Sequence, residues 1–135
     1  MIRGLDHVGI AVENLDQAIA LWVNTLGGKL THREIVSDQK VEVATIRIGT
    51  LCVELLAAAS DDSPISRFLA KRGAGIHHIA LESDATQVEL DRMKLSNVSL
   101  IDESARYGAE QTLVGFLHPR SLNGVLVEIV ERKKS

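Results

Sequence analysis

Two similar stretches constrain the fold of this chain more than any other feature: DHVGIAV, which begins at residue 6, and GIHHIAL, which begins at residue 75. Each is a short apolar run that predicts a strand. Each also places a histidine near the start of that run, and His7 and His78 lie 71 residues apart (78 − 7). Self-similarity at a fixed offset within 135 residues favours two related halves.

The elements predicted after each of these strands follow the same order. In the first half, Asn14 caps a helix that ends at Gly27-Gly28. The apolar stripe along one side of this helix consists of Leu15, Ala18, Ile19, Trp22 and Leu26. Three strands follow, at about 29–36, 40–48 and 51–57. In the second half, Asp84 caps a helix at about 85–95, whose weaker stripe is Val88, Met93 and Leu95. Strands at about 98–104, 111–117 and 124–131 complete the repeat.

A short helix connects the halves, with Ser63 as its cap, Pro64 in its first turn and Gly73 at its end. The order of elements therefore predicts an α+β fold with two βαβββ modules. We expect one domain over 1–135, with modules at about 1–62 and 76–135 and the connecting helix at about 63–75.

Composition excludes several classes of protein. No segment approaches the roughly 20 apolar residues of a membrane span, and the N-terminus lacks the pattern of a signal peptide. A net charge of −3 and few aromatic residues argue against nucleic-acid binding. Cys52 is the only cysteine, so no internal disulfide can form. These features predict a cytoplasmic protein with neither a membrane nor a nucleic acid as partner.

Two glutamates share the repeat of the histidines. Glu54 lies in LCVELLAA and Glu128 in GVLVEIVE, 74 residues apart (128 − 54), and large apolar residues flank each of them. Because side chains alternate along a strand, both carboxylates project from the face opposite those neighbours. Two imidazoles and two carboxylates form a donor set for a divalent metal, and this set suits Co, Ni, Mn, Fe or Zn.

Four stretches resemble, in the same order, the methylmalonyl-CoA epimerases of the vicinal oxygen chelate superfamily, which includes glyoxalase I. They are DHVGIAV, VELLAA, SPISRFLAKRGAGIHHIAL and GFLHPRSLNGVLVEIVE, and together they cover most of the chain. The resemblance implies curled mixed sheets that form one metal-centred cleft, and a homodimer. It also implies one divalent ion per chain, cobalt first among the candidates, with four ligands: His7, Glu54, His78 and Glu128.

The chemistry implied by the resemblance is epimerisation of methylmalonyl-CoA at C2, with the metal as a Lewis acid that stabilises the enolate. Inversion needs one acid/base group on each side of the substrate. Some members carry a glutamate base in the pattern Q-G-V-x-E, but this chain has QKVEV, with Val43 at that position and Glu42 one residue earlier. A shift of one residue reverses the face of a strand, so Glu42 can be the base only if a bulge turns it inward. Without such a bulge, we expect Glu54 and Glu128 to be the acid/base pair.

Other polar residues are weaker candidates. We expect His77 to point away from the metal. Cys52 is expected to be a buried residue that only packs in the core, and His32 to be an ordinary surface histidine. His118 precedes a proline and begins a turn after a strand, and the resemblance implies that the loop at 118–124 borders the acyl-CoA. Basic residues should meet the CoA phosphates, and the candidates are Lys71, Arg72 and Arg120.

Two alternative functions use the same fold. Glyoxalase I has the same donor set, but the HHI and FLHP motifs fit it less well. A metal-free module that binds small molecules has no need of four matched ligands.

Overall fold

In the computed structural model, which describes residues 1–133, each half of the chain has one strand, then a helix, then three further strands. The strands are β1 (Ile2–Ala11), β2 (Lys29–Val36), β3 (Val41–Ile48), β4 (Leu51–Ala58), β5 (Gly75–Ser83), β6 (Arg106–Tyr107), β7 (Leu113–Leu117) and β8 (Val127–Glu131). The α-helices are α1 (Leu15–Ala20), α2 (Pro64–Arg72) and α3 (Thr86–Leu95). Within the described residues, no helix is long and apolar enough to cross a membrane. Residues 134 and 135, the end of the predicted second module, lie outside the described residues.

The chain forms two compact units that share one strand order. The N-terminal unit is His7–His77, and its strands are ordered β2-β3-β4-β1. The C-terminal unit combines Met1–Asp6 with the residues from His78 onward, and its strands are ordered β5-β8-β7-β6. In each unit the first strand pairs in parallel with the last (β1 with β4, and β5 with β8), and the other pairings are antiparallel. The repeated α+β arrangement that the sequence predicts is confirmed.

Each sheet packs one face against its helix. In the N-terminal unit, Val53, Leu55 and Ala57 of β4 form a core with Leu15 of α1. In the C-terminal unit, Leu90 of α3 packs with alternate residues of β8, Val127 and Ile129. Because side chains alternate, the residues between them face the other way, and Glu54 and Glu128 are among these. The packing of the helices thus determines which face of each sheet carries the carboxylates.

The first helix differs from the single regular helix that the sequence predicts. Asn14 caps α1 as expected, since its side chain accepts a hydrogen bond from the backbone N–H of Gln17 at 3.0 Å. After Ala20 the backbone widens into a π-helical turn, Leu21–Thr25. The extra residue in this turn changes the phase of the helix. As a result Leu26 is exposed and Val23 packs against the core in its place, so the predicted stripe is wrong at its last position.

The start of α3 is capped differently from the prediction. Ala85 occupies the N-cap position, and the backbone N–H of Thr86 donates to Oε1 of Glu131 at 2.9 Å. Asp84 instead accepts from the N-terminal ammonium group at 3.0 Å, and this hydrogen bond lowers the pKa of the Asp84 carboxyl. The predicted stripe is wrong at two of its three positions, whereas Met93 packs against the core as expected. Val88 and Leu95 are exposed, and the buried residues of α3 are Thr86, Glu89 and Leu90.

The strand predicted at 98–104 does not form. Leu100 makes only an isolated bridge to Leu117. The Asp102 carboxylate then accepts the backbone N–H of Phe116 at 2.9 Å, so a side chain takes the hydrogen bond that a continuing strand would make. The outermost strand is instead the two-residue β6, which pairs with β7.

An ion pair with a buried carboxylate fixes the middle of β1, immediately before His7. Two nitrogens of Arg132, Nε and Nη2, donate to the two carboxylate oxygens of Asp6 at 2.7 and 2.8 Å. The Asp6 side chain is only 6% exposed, whereas Arg132 is 32% exposed. This bidentate pair joins residues 126 positions apart and therefore secures the strand that carries the first histidine.

Removal of the Arg132 guanidinium should destabilise the protein. We expect Arg132→Met to lower the free energy of unfolding by about 3 kcal/mol, because the buried Asp6 carboxylate loses its bidentate partner. Urea unfolding would measure the change. The matched control is Lys133→Met, which removes an exposed cation that bonds only to Gln111 among the contacts described, and it should change stability by less than about 0.5 kcal/mol. Equal effects of the two substitutions would contradict this role for Arg132.

Candidate metal centre and active site

The N-terminal unit brings His7 and Glu54 together. Both strands that carry them lie side by side in parallel, and Glu54 is directly opposite Gly9, two residues after His7. Residues His7, Gly9 and Ala11 are all buried, as expected for one face of β1. Nε2 of His7 lies 3.3 Å from Oε1 of Glu54, and the two side chains are 3% and 12% exposed.

The C-terminal unit repeats this arrangement with His78 and Glu128. Glu128 is directly opposite Ala80, again two residues after the histidine. Nε2 of His78 lies 3.5 Å from Oε1 of Glu128, and both side chains are less than one tenth exposed. The ring of His78 also meets Phe116 edge to face, with 5.4 Å between the ring centroids. The sequence repeat therefore corresponds to a repeat of strand register and not only of residue type.

The geometry of each pair fits two neighbouring ligands of one metal ion. Two atoms bound at about 2.1 Å to the same ion, at tetrahedral or octahedral angles, lie roughly 3.0–3.5 Å apart. The observed N···O distances of 3.3 and 3.5 Å fall within this range and exceed the usual length of an N–H···O hydrogen bond, about 2.9 Å. Imidazole nitrogen and carboxylate oxygen are both good donors for divalent transition metals. The donor set is therefore suited to such an ion.

The surroundings of the two glutamates differ, which the sequence repeat does not reveal. Across the antiparallel neighbour strand, Glu54 is opposite Thr45, whereas Glu128 is opposite Phe116. Each of these neighbours lies on the same face as its glutamate. Sequence reasoning overlooked Thr45, although alternation in VEVATIRI places it on the face opposite Glu42.

His77 lies on the opposite face of β5 from His78, as predicted. Its ring packs edge to face against Phe68 of α2, with 4.9 Å between the ring centroids. The guanidinium of Arg72 lies over the same Phe68 ring. His77 therefore contributes to the packing of α2.

Glu42 also lies away from Glu54, on the helix side of β3. Pairing of β3 with β4 is regular from Val41 to Ile48, so no bulge turns Glu42 inward. The carboxylate accepts from Nε of Arg33 at 3.0 Å, and Arg33 also donates to Asp16 of α1 at 2.8 Å. The face of β3 adjoining Glu54 instead carries Val43 and Thr45. The doubt that the sequence raises about Glu42 as a base is thus supported by its position.

The remaining candidates occupy varied positions. Cys52 is buried on the same face of β4 as Glu54. His32 hydrogen-bonds to Glu34, and His118 accepts the backbone N–H of Arg120 at the start of a 3₁₀ turn. The basic residues considered for CoA binding are all exposed: Lys71, Arg72 and Arg120.

The chain has clear relatives among known proteins. Residues 6–116 match the family model described as the glyoxalase/bleomycin resistance protein/dioxygenase superfamily. The mitochondrial methylmalonyl-CoA epimerase of Dictyostelium discoideum is 40% identical over 97% of this chain and 80% of its own. The ethylmalonyl-CoA/methylmalonyl-CoA epimerase of Cereibacter sphaeroides is 38% identical over 96% of this chain and 98% of its own.

A solved structure extends the likeness to three dimensions. It is a variant of the Streptomyces coelicolor methylmalonyl-CoA epimerase in complex with 2-nitronate-propionyl-CoA. It matches 99% of this chain and 100% of its own, with 29% identity and a TM-score of 0.95. With both the sequence and the fold matched over nearly the whole length, the chain belongs to the methylmalonyl-CoA epimerase family, within the glyoxalase/bleomycin resistance protein/dioxygenase superfamily.

Proposed function

We propose that this protein is an isomerase that interconverts the two C2 epimers of methylmalonyl-CoA. The observation that carries the proposal is the buried His–Glu pair that recurs in the same strand register in each unit. The relatives named above as methylmalonyl-CoA epimerases support the choice of substrate. Fold alone would not select it, because this fold hosts several chemistries.

We further propose that the two pairs hold one divalent ion per chain. Nitrogen atoms of His7 and His78 and an oxygen of Glu54 are donors that could hold a metal ion together, and Glu128 is the fourth ligand in this proposal. Cobalt is the first candidate, and Mn, Ni, Fe and Zn suit the same donors. When bound, such an ion supplies Lewis-acid stabilisation of the negative charge that develops on the thioester oxygen as the C2 proton leaves.

The two glutamates perform the proton transfers in this proposal. One carboxylate accepts the proton from C2, and the other donates a proton to the opposite side of the same carbon, so the centre inverts and the thioester stays intact. Glu54 and Glu128 are suited to this because both are nearly buried, where solvent water competes little for the proton. Position 43 is a valine, and Glu42 lies on the other face of β3. On the face of β3 and β4 that carries Glu54, we therefore assign the acid/base role to Glu54 itself.

We extend the proposal to wider features of the protein. We propose that the chain acts as a single domain over 1–135, binds an acyl-CoA, forms a homodimer and works in the cytoplasm. Contacts to the CoA phosphates are proposed for three exposed cations: Lys71, Arg72 and Arg120.

Isotope exchange in D₂O tests the proposed activity. Metal-loaded protein incubated with one epimer of methylmalonyl-CoA should generate the other epimer, and deuterium should enter at C2 because the proton returned to carbon comes from an exchanging carboxyl group. NMR and mass spectrometry of the intact CoA ester would measure both changes. The chelator-treated protein is the control and should produce neither.

Two outcomes would redirect the proposal. Rapid formation of lactoylglutathione from methylglyoxal and glutathione, without deuterium uptake into the CoA ester, would assign the site to glyoxalase I chemistry. Full epimerase activity in the chelated protein would refute the metal site and the proposed mechanism together.

A further inference from the structure

The hydroxyl group of Thr45 is a buried polar group without a hydrogen-bond partner among the described residues. Thr45 is only 5% exposed, and its Oγ1 has neither a protein acceptor nor a donor within hydrogen-bonding geometry. Buried hydroxyls are normally satisfied, because leaving one unpaired costs roughly 1–3 kcal/mol. An unpaired hydroxyl that persists at such a cost requires an explanation.

Two other buried threonines show the usual behaviour. The hydroxyl of Thr86 donates to the carbonyl oxygen of Leu113 at 2.9 Å. The hydroxyl of Thr112 donates to the carbonyl oxygen of Ala109 at 2.8 Å. Both have structural roles that account for their burial, whereas no such contact accounts for Thr45.

The position of Thr45 indicates its partner. Thr45 of β3 is directly opposite Glu54 of β4, within a ladder that is regular over its whole length. Directly opposed residues have Cβ atoms about 4.5–5.5 Å apart on the same face of the sheet, so a rotated hydroxyl can reach a flexible glutamate side chain. The corresponding neighbour of Glu128 is Phe116, which has no donor. A hydroxyl therefore adjoins only one of the two equivalent glutamates.

We propose that Thr45 is a positioning residue for Glu54, and that its hydroxyl donates a hydrogen bond to the Glu54 carboxylate when that carboxylate binds the metal ion. This inference rests on the proposed metal site. A carboxylate that binds a metal through one oxygen has lone pairs left, and ligating carboxylates are usually held by such a second hydrogen bond. The bond would orient Glu54 and satisfy the hydroxyl in the same step.

Metal titration of three variants tests the inference. Thr45→Val keeps the shape and removes the hydroxyl, Thr45→Ser keeps the hydroxyl, and Thr112→Val removes a buried hydroxyl that already has a partner. Calorimetric titration with Co²⁺ should show a Kd about 10–100-fold weaker for Thr45→Val, because outer hydrogen bonds to ligands typically contribute that much. The visible absorption of the bound Co²⁺ should change as well. Thr45→Ser and Thr112→Val should stay within about threefold of the unmodified Kd.

Stability of the metal-free proteins provides a second readout. Thr45→Val should melt at the same temperature as the unmodified protein or a few degrees higher, since an unsatisfied hydroxyl is replaced by a methyl group. Thr112→Val should melt lower, because the carbonyl of Ala109 loses its donor. A Thr45→Val protein that fails to fold would show that the hydroxyl is structural and would overturn the inference.

The remaining outcomes separate this inference from the proposed function. Unmodified protein that binds Co²⁺ and epimerises methylmalonyl-CoA, together with an unchanged Kd and spectrum for Thr45→Val, would overturn the role of Thr45 alone. Equal loss of affinity in Thr45→Val and Thr45→Ser would also overturn it, because the hydroxyl could not be the cause. Failure of the unmodified protein to bind any divalent metal would overturn both.

Discussion

Replacement of His78 by alanine is expected to abolish both metal binding and turnover. The substitution removes the imidazole that lies 3.5 Å from the Glu128 carboxylate at a buried position, so one of the four proposed ligands is lost. Lewis-acid stabilisation of a developing charge contributes several kcal/mol, which corresponds to a rate loss on the order of 10³-fold or more. Elemental analysis of the pure variant and an epimerase assay would measure the two losses.

The adjacent histidine provides the matched control for this experiment. His77 is on the opposite face of β5 and packs against Phe68, so His77→Ala should retain the metal and most of the activity. The variant should differ only in its free energy of unfolding. We expect that energy to fall by about 1 kcal/mol, because the edge-to-face contact and part of the buried area are lost. Chelation of the unmodified protein should reproduce the His78→Ala phenotype, with recovery on addition of Co²⁺. Loss of metal in His77→Ala and its retention in His78→Ala would show that the face of β5 is assigned incorrectly.

Substitution of glutamine for Glu128 or Glu54 should separate proton transfer from metal binding. The amide keeps the size of the side chain and an oxygen donor, but it cannot accept the C2 proton at neutral pH. We expect turnover to fall by about 10²–10⁴-fold, the usual contribution of a general acid or base. If each carboxylate serves one side of the substrate, each variant should still exchange the C2 hydrogen of one epimer in D₂O without inverting it. The two variants should then differ in which epimer exchanges.

Glu42→Gln is the control for these carboxylate substitutions. Glu42 lies on the helix side of β3 and pairs with Arg33. The epimerase activity of the Glu42→Gln variant should therefore stay within about tenfold of that of the unmodified protein. A loss of 10²-fold or more with the metal retained would make Glu42 the base. Identical exchange of both epimers by Glu128→Gln and Glu54→Gln would contradict the assignment of one carboxylate to each side.

Local signals in the sequence were sufficient for much of the fold. Asn14 and Ser63 cap their helices through side-chain oxygens, as predicted, because capping involves backbone groups only two or three residues away. The faces of the histidine strands were also predictable. Alternation is a property of the extended backbone, so burial of His7 with Gly9 and of His78 with Ala80 follows from the residue order alone.

Predictions failed where distant residues compete for a local group. Asp84 is a good N-cap by type, but the N-terminal ammonium binds it, and Glu131, 45 residues beyond Thr86, takes over the start of α3. The strand expected at 98–104 is interrupted because the Asp102 side chain bonds to the backbone of Phe116. The stripe of α3 was obscured because polar Thr86 and Glu89 are buried there, each with a polar partner.

The sequence by itself determined that two equivalent halves each supply one histidine and one glutamate, because the repeat offsets and the alternation of strand residues are local properties. Only the tertiary structure decided that Glu54 is opposite Gly9 and Glu128 is opposite Ala80, which brings each carboxylate within 3.5 Å of its histidine. It likewise decided that a hydroxyl adjoins one glutamate and an aromatic ring the other. Register depends on pairing between strands that are tens of residues apart, and a shift of one residue would leave the same sequence with every one of these neighbours changed.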